Sequence, residues 1–568
     1  MQRPRPYQQA IVSSIMSAVR GGEKSLVYTA ATGTGKTSIA AFLFRQLYDA
    51  GYQRILFIAH QRELILQSMQ RISHELGMFE FEVGIEMASL NCKSTDKIVF
   101  ATIQTIRNPE RLAHWQPDVI FIDEAHHAAS RSYLTAIDAY ARQTGALLIG
   151  CTATLYRMDK ACLAKHDIDG NPNLLASDSE AVFNRHVAHY DIEEAIADGW
   201  LVEPVGIRVD THASLAGIKK RRGDFSDKDL QDKIDTPARN NAIVNAFQKY
   251  AAGRTAVVFC AGIQHAVNVA NTFTAAGIRA AAIWGDMEPA DRARVLKQLK
   301  DGALDVVTND KLVSEGVDIP HIDCVICARP TKSWGFYVQC LGRGLRPLPG
   351  VVDAHATAQE RIAAIARSQK PNCIVIDMVD MTTEHELCSL PAVQGLPVSF
   401  DLQGRTCSEA KRAIQQATES GIMLEDMPAT FEDVELVAYQ ASLIDKHFGR
   451  GTGWRPVAKG MKFYGRAGYT STLTNEDGAW RLTIKRGSET IFDKCAKPGT
   501  RLDTITKFAR IRTEKHAHTG ERTGFSGQAT EKQIALMRKL GVRNPETYTK
   551  RAASEAISAR IGDNNGRS

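Results

Sequence analysis

Lys36 and Thr37 end the run Ala30-Ala31-Thr32-Gly33-Thr34-Gly35-Lys36-Thr37, set between apolar Ser25-Leu26-Val27-Tyr28 and helical Ser38-Ile39-Ala40-Ala41-Phe42-Leu43. A strand, a glycine-rich turn and a helix start form a cradle for phosphate, because backbone amides and the helix dipole face the anion. Thr32, Gly33, Thr34 and Gly35 supply that backbone; Lys36 is expected to reach the β and γ phosphates and the Thr37 hydroxyl to ligate Mg2+. Ala30 stands where the strict pattern has its first glycine. A second constellation is Val119-Ile120-Phe121-Ile122-Asp123-Glu124-Ala125-His126, apolar residues that bury a strand and two carboxylates that leave its C-terminal edge. Asp123 is expected to hold Mg2+ and Glu124 to orient and deprotonate a water. In Gln339-Cys340-Leu341-Gly342-Arg343-Gly344-Leu345-Arg346, the two arginines lie three apart on one helical face and so reach one phosphate. A guanidinium fork there stabilises a transferring phosphoryl group, by factors of ~10³ or more.

These residues need rigid elements behind them. Residues 24–200 alternate apolar strands with amphipathic helices, the strands including 25–28, 54–58, 97–100, 119–122 and 146–149. Residues 240–380 repeat the pattern, with strands at 256–259, 304–307, 324–326 and 373–376. Continuous apolar strands spaced by helices predict parallel sheets covered on both faces. The expected organisation is a phosphate-binding lobe at 1–200, a second lobe at 201–380, a helical linker at 381–440, a basic β-rich module at 441–515 and a helical tail at 516–568. In the tail, Thr530-Glu531-Lys532-Gln533 reads as a capping box opening a helix that Gly541 ends.

No stretch approaches the ~20 apolar residues of a membrane helix, so no membrane partner is expected. Met1-Gln2-Arg3-Pro4-Arg5-Pro6 has no apolar core of a secretory signal. Eleven scattered cysteines are not a disulfide framework and fit a reducing cytoplasm. Cys324 and Cys327 form a CxxC, but inside an apolar strand and with no second pair at zinc spacing, which favours two small buried side chains. From residue 441 onward there are 25 basic and 12 acidic residues, an imbalance that points to a polyanionic partner. There Trp454, Arg455, Lys459, Lys462, Phe463, Tyr464, Arg466, Tyr469, Trp480, Arg481, Lys485 and Arg486 interleave rings with cations. They suit either stacking on unpaired bases or the core of a small β domain.

The ordered motifs resemble helicase superfamily two, in its DEAH-bearing members, over about residues 3–350. The resemblance implies two tandem RecA-like lobes, α/β in class, and ATP with Mg2+ as the bound nucleotide and metal. Arg5-Pro6-Tyr7-Gln8 looks like the adenine-reading segment, with Gln8 the base contact. Ala59-His60-Gln61-Arg62-Glu63-Leu64 and Ala101-Thr102-Ile103-Gln104-Thr105 resemble strand-gripping motifs, implying nucleic-acid contacts from Arg62, Thr102, Gln104 and Thr105. Thr152-Ala153-Thr154 resembles the coupling motif, although Leu155, Tyr156 and Arg157 follow where a proline is usual. Thr308-Asn309-Asp310 through Gly316-Val317-Asp318-Ile319-Pro320 resembles a second-lobe motif, implying Thr308 for nucleic acid and Gly316 and Asp318 for the nucleotide. Arg343 and Arg346 become arginine fingers, and His126 couples to the other lobe through Gln339. Detail at 315–346, and a tail at 390–405, look most like the UvsW/XPB/RadD-like repair group. DNA is thereby favoured over RNA, with remodelling in repair or recombination as the task and the C-terminal modules as candidates for a protein partner. An RNA helicase, a restriction-type motor subunit and a nucleic-acid-binding regulator with an inactive motor are the alternatives.

Overall fold

Strands that are apolar on both faces must be covered on both faces, and in the computed structural model of the chain they are. The structure describes residues 3–78, 82–155, 161–173, 181–215, 217–221, 224–310, 319–381, 387–397, 400–419, 430, 454–457, 460–464, 469–476, 479–486, 489–496, 505 and 509. The first sheet holds β1 (Ser25–Ala30), β2 (Ile55–Ala59), β3 (Val83–Glu86), β4 (Ile98–Thr102), β5 (Val119–Ile122), β6 (Leu147–Thr152), β7 (Ala164–His166) and β8 (Phe183–Tyr190). Its order is β3-β4-β2-β5-β6-β1-β8-β7, with every pairing parallel. One covering layer is built on Ile103, Trp115, Tyr133 and Phe183, all buried.

The second sheet opens with β9 (Glu203–Ser214); a two-stranded hairpin, β10 (Lys220–Arg221) and β11 (Asp224–Phe225), follows it. Then come β12 (Ala256–Phe259), β13 (Ala280–Ile283), β14 (Val306–Asn309), β15 (Cys324–Cys327) and β16 (Asn372–Met381). The order is β13-β14-β12-β15-β16-β9, again wholly parallel. Phe247, Val258, Phe273 and Ile326 pack its core. The chain is thus α/β with two tandem RecA-like lobes.

The expected linker behaves differently from a tether. Gly404 N donates to Gly206 O and Gly206 N to Arg405 O, so this segment lies along β9. Leu390, Phe400, Leu402, Cys407 and Ala410 are buried there. An edge strand with unpaired amides needs such a cover. Accordingly residues 1–414 and 429–432 form one compact unit, and residues 415–428 and 433–568 another.

In the second unit, β17 (Trp454–Val457), β18 (Gly460–Tyr464), β19 (Tyr469–Glu476), β20 (Ala479–Arg486) and β21 (Glu489–Cys495) make an antiparallel meander. Leu473, Leu482 and Ile484 are buried, with Phe463 and Trp480 packed against them. Those two rings therefore take the β-core reading, and Arg481 is paired with Asp493 at 2.7 Å. The expected tail helix at Thr530 lies outside the described residues. No described helix is long and apolar enough to cross a membrane. Cys324 and Cys327 are buried free thiols in β15.

Candidate active site

β1 lies between β6 and β8, and its C-terminal end delivers the phosphate-binding loop. Gly35, at φ 81° and ψ 44°, is the N-cap of the helix Lys36–Asp49, a left-handed turn that glycine adopts without strain. The loop is braced by its own bonds: the Thr34 hydroxyl donates to Ala31 O at 2.7 Å. The N-terminal segment braces it from outside. Tyr7 Oη and Gln8 Nε2 both donate to Thr34 O, and Gln8 Oε1 accepts from Arg5 N at 2.9 Å. Gln8 thus holds the loop directly, with 4% of its surface exposed.

β5 sits one strand away from β1, across β6, so its carboxylates face the same loop. Lys36 Nζ donates to Glu124 Oε1 at 2.8 Å in a largely buried pair. Asp123 Oδ1 accepts from Glu124 N at 3.0 Å and from Cys151 Sγ at 3.3 Å. Burial would lower the Lys36 pKa, but the carboxylates of Glu124 and Asp123 raise it above its ordinary value. Burial opposes ionisation of Glu124 too, yet Lys36 and His126 hold its carboxyl well below the usual range. Asp123 is pushed up by burial and by the Glu124 charge. One ammonium between two carboxylates leaves net negative charge in a buried site, a donor set that suits a divalent cation. Asp123 and Thr37 are the residues that would hold Mg2+. When bound, that ion would neutralise phosphate charge.

Glu124 has φ 49° and ψ 55°, the left-handed region that a non-glycine residue adopts at a cost. This turn sends His126 back toward β6, where its Nδ1 lies 3.2 Å from Thr152 Oγ1. Thr152 Oγ1 also donates to Thr154 O at 3.1 Å, so the expected coupling residues form one chain of contacts.

The helix that bears Arg343, Trp334–Gly344, starts at Ser333, whose Oγ accepts from Phe336 N at 3.3 Å, and it ends before Arg346, so the two arginines do not share the expected helical face. It lies directly on the first lobe. A Cβ at Gly342 would fall 2.3 Å from Thr32 Cβ, and one at Gly33 would fall 3.2 Å from Arg346 Cγ. Two turns earlier a Cβ at Gly335 would meet Thr154 Oγ1 at 3.4 Å. One helix therefore spans from the coupling threonines to the phosphate loop, with Gln339 and Arg343 buried along it.

Further contacts across the lobes have no sequence signal. Arg5 Nη2 donates to Asp353 Oδ1 at 2.9 Å. The guanidinium groups of Arg5 and Arg361 lie 4.3 and 4.0 Å from the Trp200 ring centroid. Arg292 pairs with Glu63 at 2.6 Å. Arg5, expected at the nucleotide, is engaged in this latch.

Of the expected nucleic-acid contacts, Arg62 and Gln104 are exposed beside the C-terminal ends of β2 and β4, and Gln104 Nε2 donates to His60 O. The Thr102 and Thr105 hydroxyls are 3.0 Å apart at the same edge. Thr308 is a correction. It is fully buried, and its hydroxyl donates to Ala266 O at 2.7 Å, so the parallel sheet and its covering helix withhold it from any strand. Gly316, Asp318, Tyr156 and Arg157 lie outside the described residues.

Residues 1–157 match the family described as type III restriction enzyme, res subunit, and residues 238–347 match the helicase conserved C-terminal domain. These two stretches, in this order around one phosphate loop, are what the chain has in common with helicases of superfamily two. It is 29% identical over 356 residues to the ATP-dependent helicase IRC3 of Saccharomyces cerevisiae, a match taking in 60% of this chain and 49% of that one. The mitochondrial ATP-dependent helicase irc3 of Schizosaccharomyces pombe is 28% identical over 405 residues, 69% of this chain and 60% of the relative. The type I restriction enzyme EcoKI endonuclease subunit of Escherichia coli is 24% identical over 493 residues, 73% and 40% respectively. The matches span from 40% to 60% of these relatives' lengths.

Proposed function

We propose that the chain hydrolyses ATP in the cleft between its lobes and uses the cycle to move along DNA and remodel branched or forked strands. The observation that carries this reading is the seating of the Arg343 helix on the Thr32–Gly33 loop. Neither lobe alone holds the whole site. Lys36 draws the β and γ phosphates, Glu124 takes a proton from the attacking water, and Arg343 and Arg346 neutralise the transferring phosphoryl oxygens. Closing the lobes on ATP and releasing them on product changes the spacing of the Arg62 and Thr102–Thr105 edge relative to the second lobe.

The choice of DNA draws support from the restriction-type relatives and from the motif detail at 315–346. The finer likeness to UvsW/XPB/RadD-like repair motors rests on that motif detail alone, since the relatives above carry other names. The EcoKI subunit match favours a second reading, a motor that a nuclease partner completes.

ATPase rates with single-stranded, duplex and forked DNA and with RNA test the proposal. Stimulation by DNA above RNA is expected, strongest on forks. Stimulation by RNA alone would overturn the choice of strand. No ATPase with any of them would overturn the motor.

A further inference from the structure

Two consecutive residues of β6, Cys151 and Thr152, meet the two ends of the turn Asp123-Glu124-Ala125-His126. β6 lies between β5, which delivers that turn, and β1, which delivers the phosphate loop. Side chains alternate along a strand, so the two residues serve opposite faces of the sheet. Thr152 Oγ1 lies 3.2 Å from His126 Nδ1, while the Cys151 thiol donates to Asp123 Oδ1 at 3.3 Å. Between these clamped ends stands Glu124 with its left-handed backbone, a conformation that persists only where the surroundings over-determine it.

Cys151 is 1% exposed, and its partner across the sheet on β1 is Tyr28, also fully buried. Burial first, and the Asp123 charge second, push its pKa well above the usual thiol range, so the hydrogen stays on sulfur to be donated. Asp123 Oδ1 accepts from Glu124 N at 3.0 Å as well. Both donors thus fall on one oxygen, and among the described residues Oδ2 accepts no hydrogen bond. A carboxylate held by one backbone amide pivots about that bond; a second donor from the neighbouring strand removes the freedom. Groups that hydrogen-bond a metal ligand orient it and tune its grip. A cysteine that merely filled space could be exchanged for valine, whereas this thiol ends on the carboxylate expected to hold the metal.

We propose that Cys151 is a positioning residue for the metal site: its thiol fixes Asp123 through Oδ1 and leaves Oδ2 for the divalent cation that accompanies the nucleotide. The inference rests on the nucleotide-site reading above and adds to it a residue that none of the motifs named.

The test uses the full chain and reads Mn2+ binding in the presence of ADP, by loss of the free-ion paramagnetic resonance signal, beside the affinity for ADP without metal. C151V keeps a small apolar group but no donor, so Mn2+ should bind about tenfold more weakly while metal-free ADP affinity stays at the wild-type value. C151S restores a donor and should recover most of the loss; C151A, which leaves room rather than crowding the strand, should behave like C151V. If C151V and C151A bind Mn2+ as the wild type does, or C151S fails as badly as they do, the thiol only packs and the inference is overturned while the motor stands. Loss of metal-free ADP binding in both donorless variants would show a structural role and also overturn it. A wild-type chain that binds ADP but no Mn2+ overturns the metal site together with the inference, and one that binds neither overturns the nucleotide-site reading itself.

Discussion

Glu124 combines a strained backbone, a buried charge and contacts to Lys36 and His126. Glu124→Gln keeps the side-chain shape but removes the base, so ATP binding should persist while kcat falls by about 10²–10⁴-fold. Retention of full turnover would contradict its role. Arg343→Lys should rescue little of the loss from Arg343→Ala, because a point ammonium lacks the planar fork. Comparing single-turnover rates of the two variants decides this. Away from the site, His265 is wholly buried, and its Nδ1 accepts from Ala261 N at 3.1 Å. Burial first, and the nearby Arg239 second, lower its pKa to about 4. The unfolded chain, with a histidine pKa near ~6.5, binds the proton more readily. The stability this ring contributes is therefore complete above ~6.5 and is lost as pH falls toward 4. Melting temperature measured across that window should drop, and His265→Gln should make the drop shallower.

At the scale of elements, the helix Trp334–Gly344 matters through what it rests on. Gly342→Ala would place a methyl 2.3 Å from Thr32 Cβ, a clash the phosphate loop cannot yield to without moving. Within the helix alone alanine is favoured over glycine by about 0.8–1 kcal/mol. The expected outcome is thus an unchanged or slightly raised melting temperature with ATPase reduced at least tenfold; normal ATPase would mean that the lobes do not close this way. The sequence contained the parts of this contact but not their meeting. The apolar runs of β1, β2, β4, β5, β6, β12, β14, β15 and β16 were legible because sheets covered on both faces leave no polar alternation. β8 was not, since Asn184, Arg185, His186 and His189 interrupt it. β13 was hidden by three alanines, which carry no strand signal. β9 escaped because the chain enters the second sheet at its far edge, beside β16, the last of its strands in sequence. In the site, Lys36, Asp123 and Glu124 could be read from spacing, whereas the Trp200 latch joins residues far apart in sequence. Thr308 was misplaced for a related reason: a motif fixes residue order, and only packing says which side chain reaches a surface.

For the whole molecule, the division of the chain predicts which part can be removed. Both parallel sheets lie in the unit formed by residues 1–414 and 429–432, and Asp401 bridges to Thr430 within it. A cut after residue 440 therefore spares every described contact of the site, whereas a cut after 414 removes the Thr430 bridge. The shorter chain 1–440 should unfold cooperatively and keep its strand-independent ATPase. What it loses is charge: 25 basic and 12 acidic residues leave with the segment from 441 onward. If those cations meet phosphate, DNA affinity should weaken and its salt dependence flatten. The flattening should fall short of the full charge difference, because Arg481 is already held by Asp493, whose carboxyl it draws down to about 2. Anisotropy titrations of the two chains across a salt series measure this slope. An identical slope and affinity would show that the C-terminal unit serves something other than the strand, leaving the Arg62 edge as the surface expected to grip it.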